Sequence, residues 1–308
     1  MRSAVIPFAL VVAFLSLATV DPVAAPNFSA WGTPTNLGAV VNSPFVDGGP
    51  GISKKGLSLY FHSNRPGGMG DTDIWVSQRA SVDAAWGTPV NLGSTINTSF
   101  AETVPTFSRD QHWMFFASTR PGGQGGNDIW ASWRQHTHDD FGWQPAVNLG
   151  PNVNTAVFDA GQTYFAGDGP FPPTLFFISG RPGGFGSNDV YASELQPDGS
   201  FGTATHIPEL SSPVNDARPT IRHDGLEIVI FSNRAGSLGA NDLWGSTRAS
   251  LAGSWSLPEN LGPIINTVAE EFQPQLTSDG KSLLFGSNRP GGFGDFDLYV
   301  SVRSKAAR

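Results

Sequence analysis

Short apolar runs recur along the chain, each preceded by a polar turn and followed by a glycine-rich loop. Continuous runs of this length are typical of strands that are buried on both faces. Several of the turns contain Asp-Gly, which predicts a hairpin because glycine accepts positive φ without steric cost. The runs lie at 57–61, 113–116, 175–178, 226–231 and 283–285.

A second pattern shows that these strands belong to five copies of one repeat. The cleanest copy of its loop, SNRPGGFGDFDLY, lies at 287–299, and in every copy an arginine precedes an aspartate by eight residues. The aromatic residue that opens each repeat recurs every 54 to 58 residues. Such a period indicates a solenoid, a propeller or an array. The pairs are Arg65 and Asp73, Arg120 and Asp128, Arg181 and Asp189, Arg234 and Asp242, and Arg289 and Asp297.

Four short strands per repeat predict an all-β fold, a five-bladed β-propeller of four-stranded antiparallel blades. A blade exposes two apolar faces, so each needs a neighbour on both sides. The last repeat lacks its outer strand, and segment 31–38 has the pattern of one. We therefore expect the N-terminal strand to pair with the last blade and close the ring, which removes an open sheet edge.

The first 25 residues differ from the rest of the chain. Arg2 precedes an apolar run over 4–20, and small residues follow at 23–25. This arrangement predicts a signal peptide over 1–25 and one propeller domain over 26–308, in the periplasm or secreted. The alternative is an uncleaved anchor, although the run is short for a span of about 20 residues.

Composition narrows the range of partners. The net charge of −8 argues against nucleic acid or an anionic membrane as the partner. The chain has no cysteine, which excludes disulfides, thiolate metal sites and a cysteine nucleophile. We expect a monomer that does not insert into the membrane after cleavage, with an envelope protein or a saccharide as its partner.

One acidic position recurs in the connection that leads into the first strand of each blade. In a four-stranded antiparallel blade this connection lies at one mouth of the central channel, so the five acids should form a ring there. Such a ring could hold a cation, a basic peptide or a sugar, and a divalent cation is the one cofactor it suggests. Alternatively, each carboxylate accepts backbone N–H groups of its own or the next blade. The predicted ligand-binding acids are Asp47, Glu102, Asp159, Asp216 and Glu271.

The arginine–aspartate pairs are interpreted as structural, because they occur in every blade whereas a specific site needs to break the symmetry. The planar guanidinium of arginine can bind a carboxylate through two N–H groups, and it can also donate to the carbonyls of a glycine-rich loop. Segment 136–140, HTHDD, resembles a metal cluster, but nothing at matching spacing completes it, so we predict a solvated loop. The repeats deviate at 167–173 and at 235–237, where a specific site would be expected.

The phrase SNRPGGFGDFDLYVSVR at 287–303, with SDGK before it at 278–281, resembles the propeller repeat of TolB-type periplasmic proteins. A form of this repeat also precedes OmpA-like peptidoglycan-binding domains. The resemblance covers about 31–303 and implies an envelope location and a role in binding protein or envelope material.

Together these observations favour an exported, non-catalytic binding module that uses the channel mouth. The alternative is a glycoside hydrolase-type propeller in which carboxylates at the channel mouth act as acid, base or nucleophile. In that case Asp47, Asp159 and Glu271 are the first residues to test. A third alternative is a scaffold without a ligand. The sequence leaves open whether the protein is an enzyme, and it favours a protein without catalytic activity.

Overall fold

The computed structural model describes residues 28–306 of the chain. Over that range it contains twenty β-strands and one 3-10 helix, Pro208–Leu210. The strands form five antiparallel sheets of four strands each. This confirms the predicted all-β propeller with almost no helix. The predicted signal peptide lies outside the described residues.

The four strands of a blade are called A to D from the channel outwards. Blade 1 contains β2 (Asp47–Ile52), β3 (Ser58–Ser63), β4 (Asp73–Gln78) and β5 (Val90–Asn91). Blade 2 contains β6 (Glu102–Phe107), β7 (Trp113–Ser118), β8 (Asp128–Trp133) and β9 (Val147–Asn148). Blade 3 contains β10 (Asp159–Phe165), β11 (Thr174–Ser179), β12 (Asp189–Glu194) and β13 (Thr205–His206). Blade 4 contains β14 (Asp216–Ile221), β15 (Glu227–Ser232), β16 (Asp242–Thr247) and β17 (Glu259–Asn260). Blade 5 contains β18 (Glu271–Leu276), β19 (Ser282–Ser287), β20 (Asp297–Val302) and β1 (Thr35–Asn36).

The A strands pack side by side around the channel, and β18 packs against β2 to complete the ring. Backbone hydrogen bonds also join the blades: the N–H of Glu271, at the start of β18, donates to Asn241 O of blade 4 at 2.9 Å. The D-to-A and B-to-C connections lie at one end of the channel, here called the D–A mouth. The A-to-B turns lie at the other end, the A–B mouth.

The closure of the ring by the N-terminal strand is confirmed. Thr35 pairs with Val300 and Asn36 with Tyr299 in antiparallel register. The regular strand is shorter than the predicted 31–38, because only Thr35–Asn36 satisfies the ladder pattern. Hydrogen bonds on both sides extend the contact, since Gly32 N donates to Val302 O at 2.8 Å and Leu37 N to Leu298 O at 3.0 Å.

The apolar core lies between blades, because each blade has apolar side chains on both of its faces. One cluster joins Val229 and Leu243 of blade 4 to Leu283 and Phe285 of blade 5. Each fully buried side chain of this size stabilises the fold by about 1.5–3 kcal/mol relative to exposure. Because every blade shares its core with two neighbours, the channel walls and both mouths are held in fixed positions.

Candidate functional site

The five predicted ring acids lie at the D–A mouth, each as the first residue of an A strand, and each is 0% exposed. Glu271 shows the arrangement. Its Oε2 accepts from Thr267 N at 2.7 Å, and its Oε1 accepts from Thr267 Oγ1 at 2.8 Å and Ser287 Oγ at 2.9 Å. The other four acids also accept the backbone N–H four residues before them. The geometry therefore favours the alternative in which the acids are internal acceptors, and a ligand-binding role for them stays a prediction.

The structure corrects the partner predicted for the repeated arginine. Arg289 binds Glu271 at 3.0 Å, not the aspartate eight residues later. Its Nη2 also donates to Ile265 O at 2.8 Å, and its guanidinium lies over the ring of Tyr299 at 4.9 Å. All five arginines pair with the ring acid of their own blade. The reason is topological, since the D-to-A and B-to-C connections meet at the same end of the blade.

The repeated aspartates instead hold the glycine-rich loops. Asp297 accepts from Phe293 N at 2.7 Å, Gly294 N at 3.1 Å and Asn36 Nδ2 at 2.7 Å. The other four aspartates also accept the N–H of the residue four positions earlier. The five aspartates are thus loop acceptors, separate from the arginine–acid pairs.

The prediction of a solvated loop at 136–140 is only partly right. His136, His138 and Asp139 are exposed, but Asp140 is buried. Asp140 binds Arg134 at 3.0 Å and accepts from the hydroxyl of Tyr60 at 2.6 Å. Burial and the charge of Asp140 raise the pKa of Tyr60. Within residues 28–306 no group of three or more His, Asp and Glu side chains is placed to hold a metal ion.

The A–B mouth opens into a cavity of about 910 Å³ that the sequence analysis did not anticipate. All four lysines of the chain line it, together with Arg79 and Arg109. Among the described residues none of these six cations forms a salt bridge. The signal in the sequence was that three of the four lysines lie in A-to-B turns. One of them, Lys55, stands where blades 2, 4 and 5 carry aspartate. The four lysines are Lys54, Lys55, Lys281 and Lys305.

Carboxylates also lie at this mouth, at the turn position that is Lys55 in blade 1. Asp279 of blade 5 lines the cavity, and Asp110 of blade 2 lies between two lining residues, Arg109 and Gln111. Asp279 accepts from Thr277 Oγ1 at 2.7 Å and Lys281 N at 3.0 Å, both through Oδ1. Burial alone would raise the pKa of Asp279, but these hydrogen bonds outweigh it and lower the pKa below its usual value.

A smaller cavity of about 560 Å³ lies between blades 3 and 4, beside the irregular turn at 167–173. It is lined by Phe171 and Pro172 of that turn and by Arg248 and Trp255 of blade 4. The deviation of the third repeat therefore coincides with a local opening, and a specific site at this segment stays a prediction. Arg248 is the cation that lines this cavity, whereas the larger cavity gathers six cations that form no salt bridge in the described chain.

Comparison with solved structures supports the fold. An α-L-arabinofuranosidase from Lactobacillus brevis is 14% identical over 84% of this chain and 90% of its own, with a TM-score of 0.57. The catalytic domain of a GH62 α-L-arabinofuranosidase from Coprinopsis cinerea is 12% identical over 92% and 99%, with a TM-score of 0.59. At this identity the likeness establishes the fold alone. No protein-family model matches the chain, and no curated protein matches it in sequence.

The TolB resemblance is confirmed as a likeness of fold. TolB from Acinetobacter baumannii is 15% identical over 86% of this chain and 56% of its own, with a TM-score of 0.50. The envelope role that the resemblance implies is not established by this likeness. The described part of the chain contains no helix with the length and apolar character needed to cross a membrane.

The comparisons contradict the prediction of a non-catalytic binding module. Most of the similar solved structures are glycosidases, including the two arabinofuranosidases and an endo-arabinase from Bacteroides thetaiotaomicron. They favour the alternative prediction, a glycoside hydrolase-type propeller. The residues first suggested for that activity, Asp47, Asp159 and Glu271, are however enclosed in internal hydrogen bonds.

Proposed function

We propose that the protein is a glycoside hydrolase-type enzyme that acts on a saccharide bound at the A–B mouth. The likeness to glycosidases supports the class of reaction. The observation that carries the position of the site is the cavity of about 910 Å³ at this mouth. Its volume falls in the range of about 300–1,000 Å³ that small-molecule sites occupy.

The walls of the cavity suit a sugar. Trp86, Phe107 and Tyr164 line it, and aromatic rings offer apolar faces on which the C–H groups of a pyranose or furanose can pack. Polar groups for hydroxyl recognition stand beside them, including Gln111 and Ser108. An apolar lining with a few convergent polar groups is the usual composition of such a site.

Two carboxylates are assigned to the reaction. The lowered pKa of Asp279 keeps it ionised at neutral pH, as a carboxylate nucleophile requires. Asp110 supplies the second carboxylate; its Oδ1 accepts from Ser108 Oγ, and its charge, after burial, raises the pKa of Tyr164 in the cavity wall. A carboxyl separation of about 5–5.5 Å would fit a retaining reaction, and about 6.5–9.5 Å an inverting one.

The six unpaired cations indicate that the saccharide is acidic. A cavity in which one sign of charge predominates raises the local concentration of ligands with the opposite sign. Uronic acid or sulfate groups would pair with the lysines, whereas a neutral glycan would leave these charges without partners. We also propose that the protein is exported to the periplasm or secreted as a monomer, where it would meet envelope or extracellular glycans.

The test is the release of reducing ends from a panel of neutral arabino- and xylo-oligosaccharides and of uronic acid-containing polysaccharides. We expect activity on the acidic substrates and a loss of about 100-fold or more in Asp279→Asn. Asp198→Asn is the matched control, because Asp198 is an exposed turn aspartate of blade 3.

Two results would overturn the proposal. One is the absence of reducing-end release on every substrate. The other is full activity in Asp279→Asn together with loss of activity in a folded Asp47→Asn variant, which would place the reaction at the D–A mouth.

A further inference from the structure

Every A strand contains a bulge two residues after its ring acid. The ladder slips there in each blade, and the bulged residue has a φ between 40° and 61°. Bulges re-aim a side chain relative to the regular strand. Two of the five bulged residues are glycine and the other three differ from one another, so this position breaks the symmetry of the channel. They are Gly49, Val104, Gly161, Arg218 and Gln273.

Arg218 uses its bulge to reach across the channel. Its Nη2 donates to Pro50 O of blade 1 at 2.7 Å, although blades 4 and 1 are not neighbours in the ring. The residue is 1% exposed, and its Nε and Nη1 have no hydrogen-bond partner within residues 28–306. No carboxylate in that range forms a salt bridge with it, in contrast to the five arginines at the D–A mouth.

Two glycines of β2 make room for this guanidinium. A Cβ added to Gly49 would lie 2.8 Å from Arg218 Nη1 and 2.5 Å from His62 Nδ1. A Cβ added to Gly48 would lie 2.9 Å from both His62 Nε2 and Gln273 Oε1. At the centre of the channel, Arg218 Nη1 and the His62 imidazole therefore lie against the backbone of Gly49. The same imidazole and the amide oxygen of Gln273 lie against Gly48.

The centre of the channel carries a net positive charge at Arg218. His62 is neutral, because Val104 N donates to its Nδ1 at 3.3 Å and because burial, aided by the charge of Arg218, lowers its pKa to about 3. The nearest carboxylates along these strands, Asp47 and Asp216, are each held by an arginine of their own blade. A buried charge without a partner costs several kcal/mol, so a compensating group is expected.

We propose that the centre of the channel binds one small inorganic anion, a halide such as chloride, at Nη1 of Arg218. The anion would restore electroneutrality and accept from Nη1, which has no partner in the described chain. This site is independent of the proposed enzymatic activity.

The first test is diffraction from crystals grown in sodium bromide, measured at the bromine absorption edge. We expect one anomalous peak in the channel within about 3.5 Å of Arg218 Nη1, and no such peak in an Arg218→Gln crystal. Glutamine is a matched replacement because it occupies the same bulge in blade 5. A wild-type map without a peak in the channel would overturn the proposal.

The second test is thermal unfolding in sodium chloride against sodium gluconate at equal ionic strength. For the wild type we expect Tm to rise by roughly 2–4 °C between about 1 mM and about 300 mM chloride, as binding to the folded state requires. Arg109→Gln, which removes an exposed cation, should keep this rise, and Arg218→Gln should lose it. An equal chloride response in all three proteins would refute a site at Arg218, and Arg218→Lys serves if the glutamine variant does not fold.

Discussion

At the scale of single residues, the partner of a buried charge decides its role. Arg289 and Glu271 neutralise each other and hold two connections of one blade together, which fits a structural role. Arg218 has the same chemistry and nearly complete burial but no carboxylate partner in the described chain. The first arrangement recurs in all five blades, whereas the second occurs in one, as expected of a specific site.

Replacing Arg289 by alanine should destabilise the fold rather than remove an activity. The change leaves Glu271 buried without its cation, which costs on the order of 3–5 kcal/mol. Chemical denaturation of the variant measures this loss. Arg109→Ala, which removes an exposed arginine, should stay within about 0.5 kcal/mol of the wild type. An unchanged denaturation midpoint in Arg289→Ala would contradict a structural role for the arginine.

His62 should make the protein sensitive to acid. Burial and Arg218 lower its folded-state pKa from 6.5 to about 3, so below pH 6.5 the unfolded chain binds a proton that the folded chain does not. Stability is therefore complete above about pH 6.5 and falls by about 1.4 kcal/mol per pH unit between pH 6 and pH 4.

Denaturation of His62→Gln over this pH range, at constant chloride, tests the assignment. The variant should show a shallower pH dependence, reduced by one proton. His138→Gln, which replaces an exposed histidine, should follow the wild type. If His62→Gln retains the full slope, another group is responsible for the acid sensitivity.

The sequence was sufficient to find the repeated arginines and acids but not to pair them. The fixed spacing of eight residues suggested Arg289 with Asp297, yet the arginine reaches back 18 residues to Glu271. Spacing along the chain does not report which connections meet at one end of a blade. Arg218 could have been noticed, because it is a charged residue at a position occupied elsewhere by glycine, valine and glutamine.

At the scale of elements, the outer strands are short and depend on side chains. Each D strand has two residues, and in every blade except blade 3 an asparagine six residues further on extends the pairing. Asn266 accepts from Leu243 N at 2.8 Å and donates to Leu243 O at 2.9 Å. The spacing N-x5-N recurs in four repeats and was visible in the sequence. The role of this spacing could not be predicted from the sequence, because the asparagine amide binds the backbone of a strand that is distant along the chain.

The N-terminal strand should be required for the stability of blade 5. A chain that begins at residue 39 leaves β20 as an exposed edge and removes the hydrogen bonds of Gly32, Asn36 and Leu37. We expect a lower Tm and concentration-dependent association through the free edge. Thermal melts and light scattering measure both effects.

A circular permutant provides the control for this truncation. In it, residues 28–38 follow residue 306 through a short glycine-serine linker, so that blade 5 has the A-to-D order of the other four blades. The permutant should recover the wild-type Tm and remain monomeric. Equal stability of the truncated chain and the permutant would show that the closing strand contributes little.

At the scale of the whole molecule, the two mouths of the channel differ in charge. The acids of the D–A mouth are compensated one by one by arginines, and the A–B mouth gathers all four lysines without salt bridges in the described chain. A net charge of −8 therefore conceals a positive cavity. Composition predicted neither feature, since it reports the sum of the charges and not their distribution.

Removing the lysines of blade 1 should weaken the binding of acidic saccharides selectively. Lys54 and Lys55 are exposed and line the A–B mouth, and each exposed ion pair with a ligand is worth up to about 1 kcal/mol, or about fivefold in affinity. In titration calorimetry, Lys54→Gln/Lys55→Gln should bind an oligouronate up to about 25-fold more weakly than the wild type. The double arginine variant keeps both charges and should bind normally.

Increasing salt should weaken binding to the wild type more than to the glutamine variant, because screening acts on exposed pairs. Equal binding of neutral and acidic oligosaccharides by all three proteins would mean that the lysines do not select the ligand, and that recognition depends on the aromatic wall of the cavity.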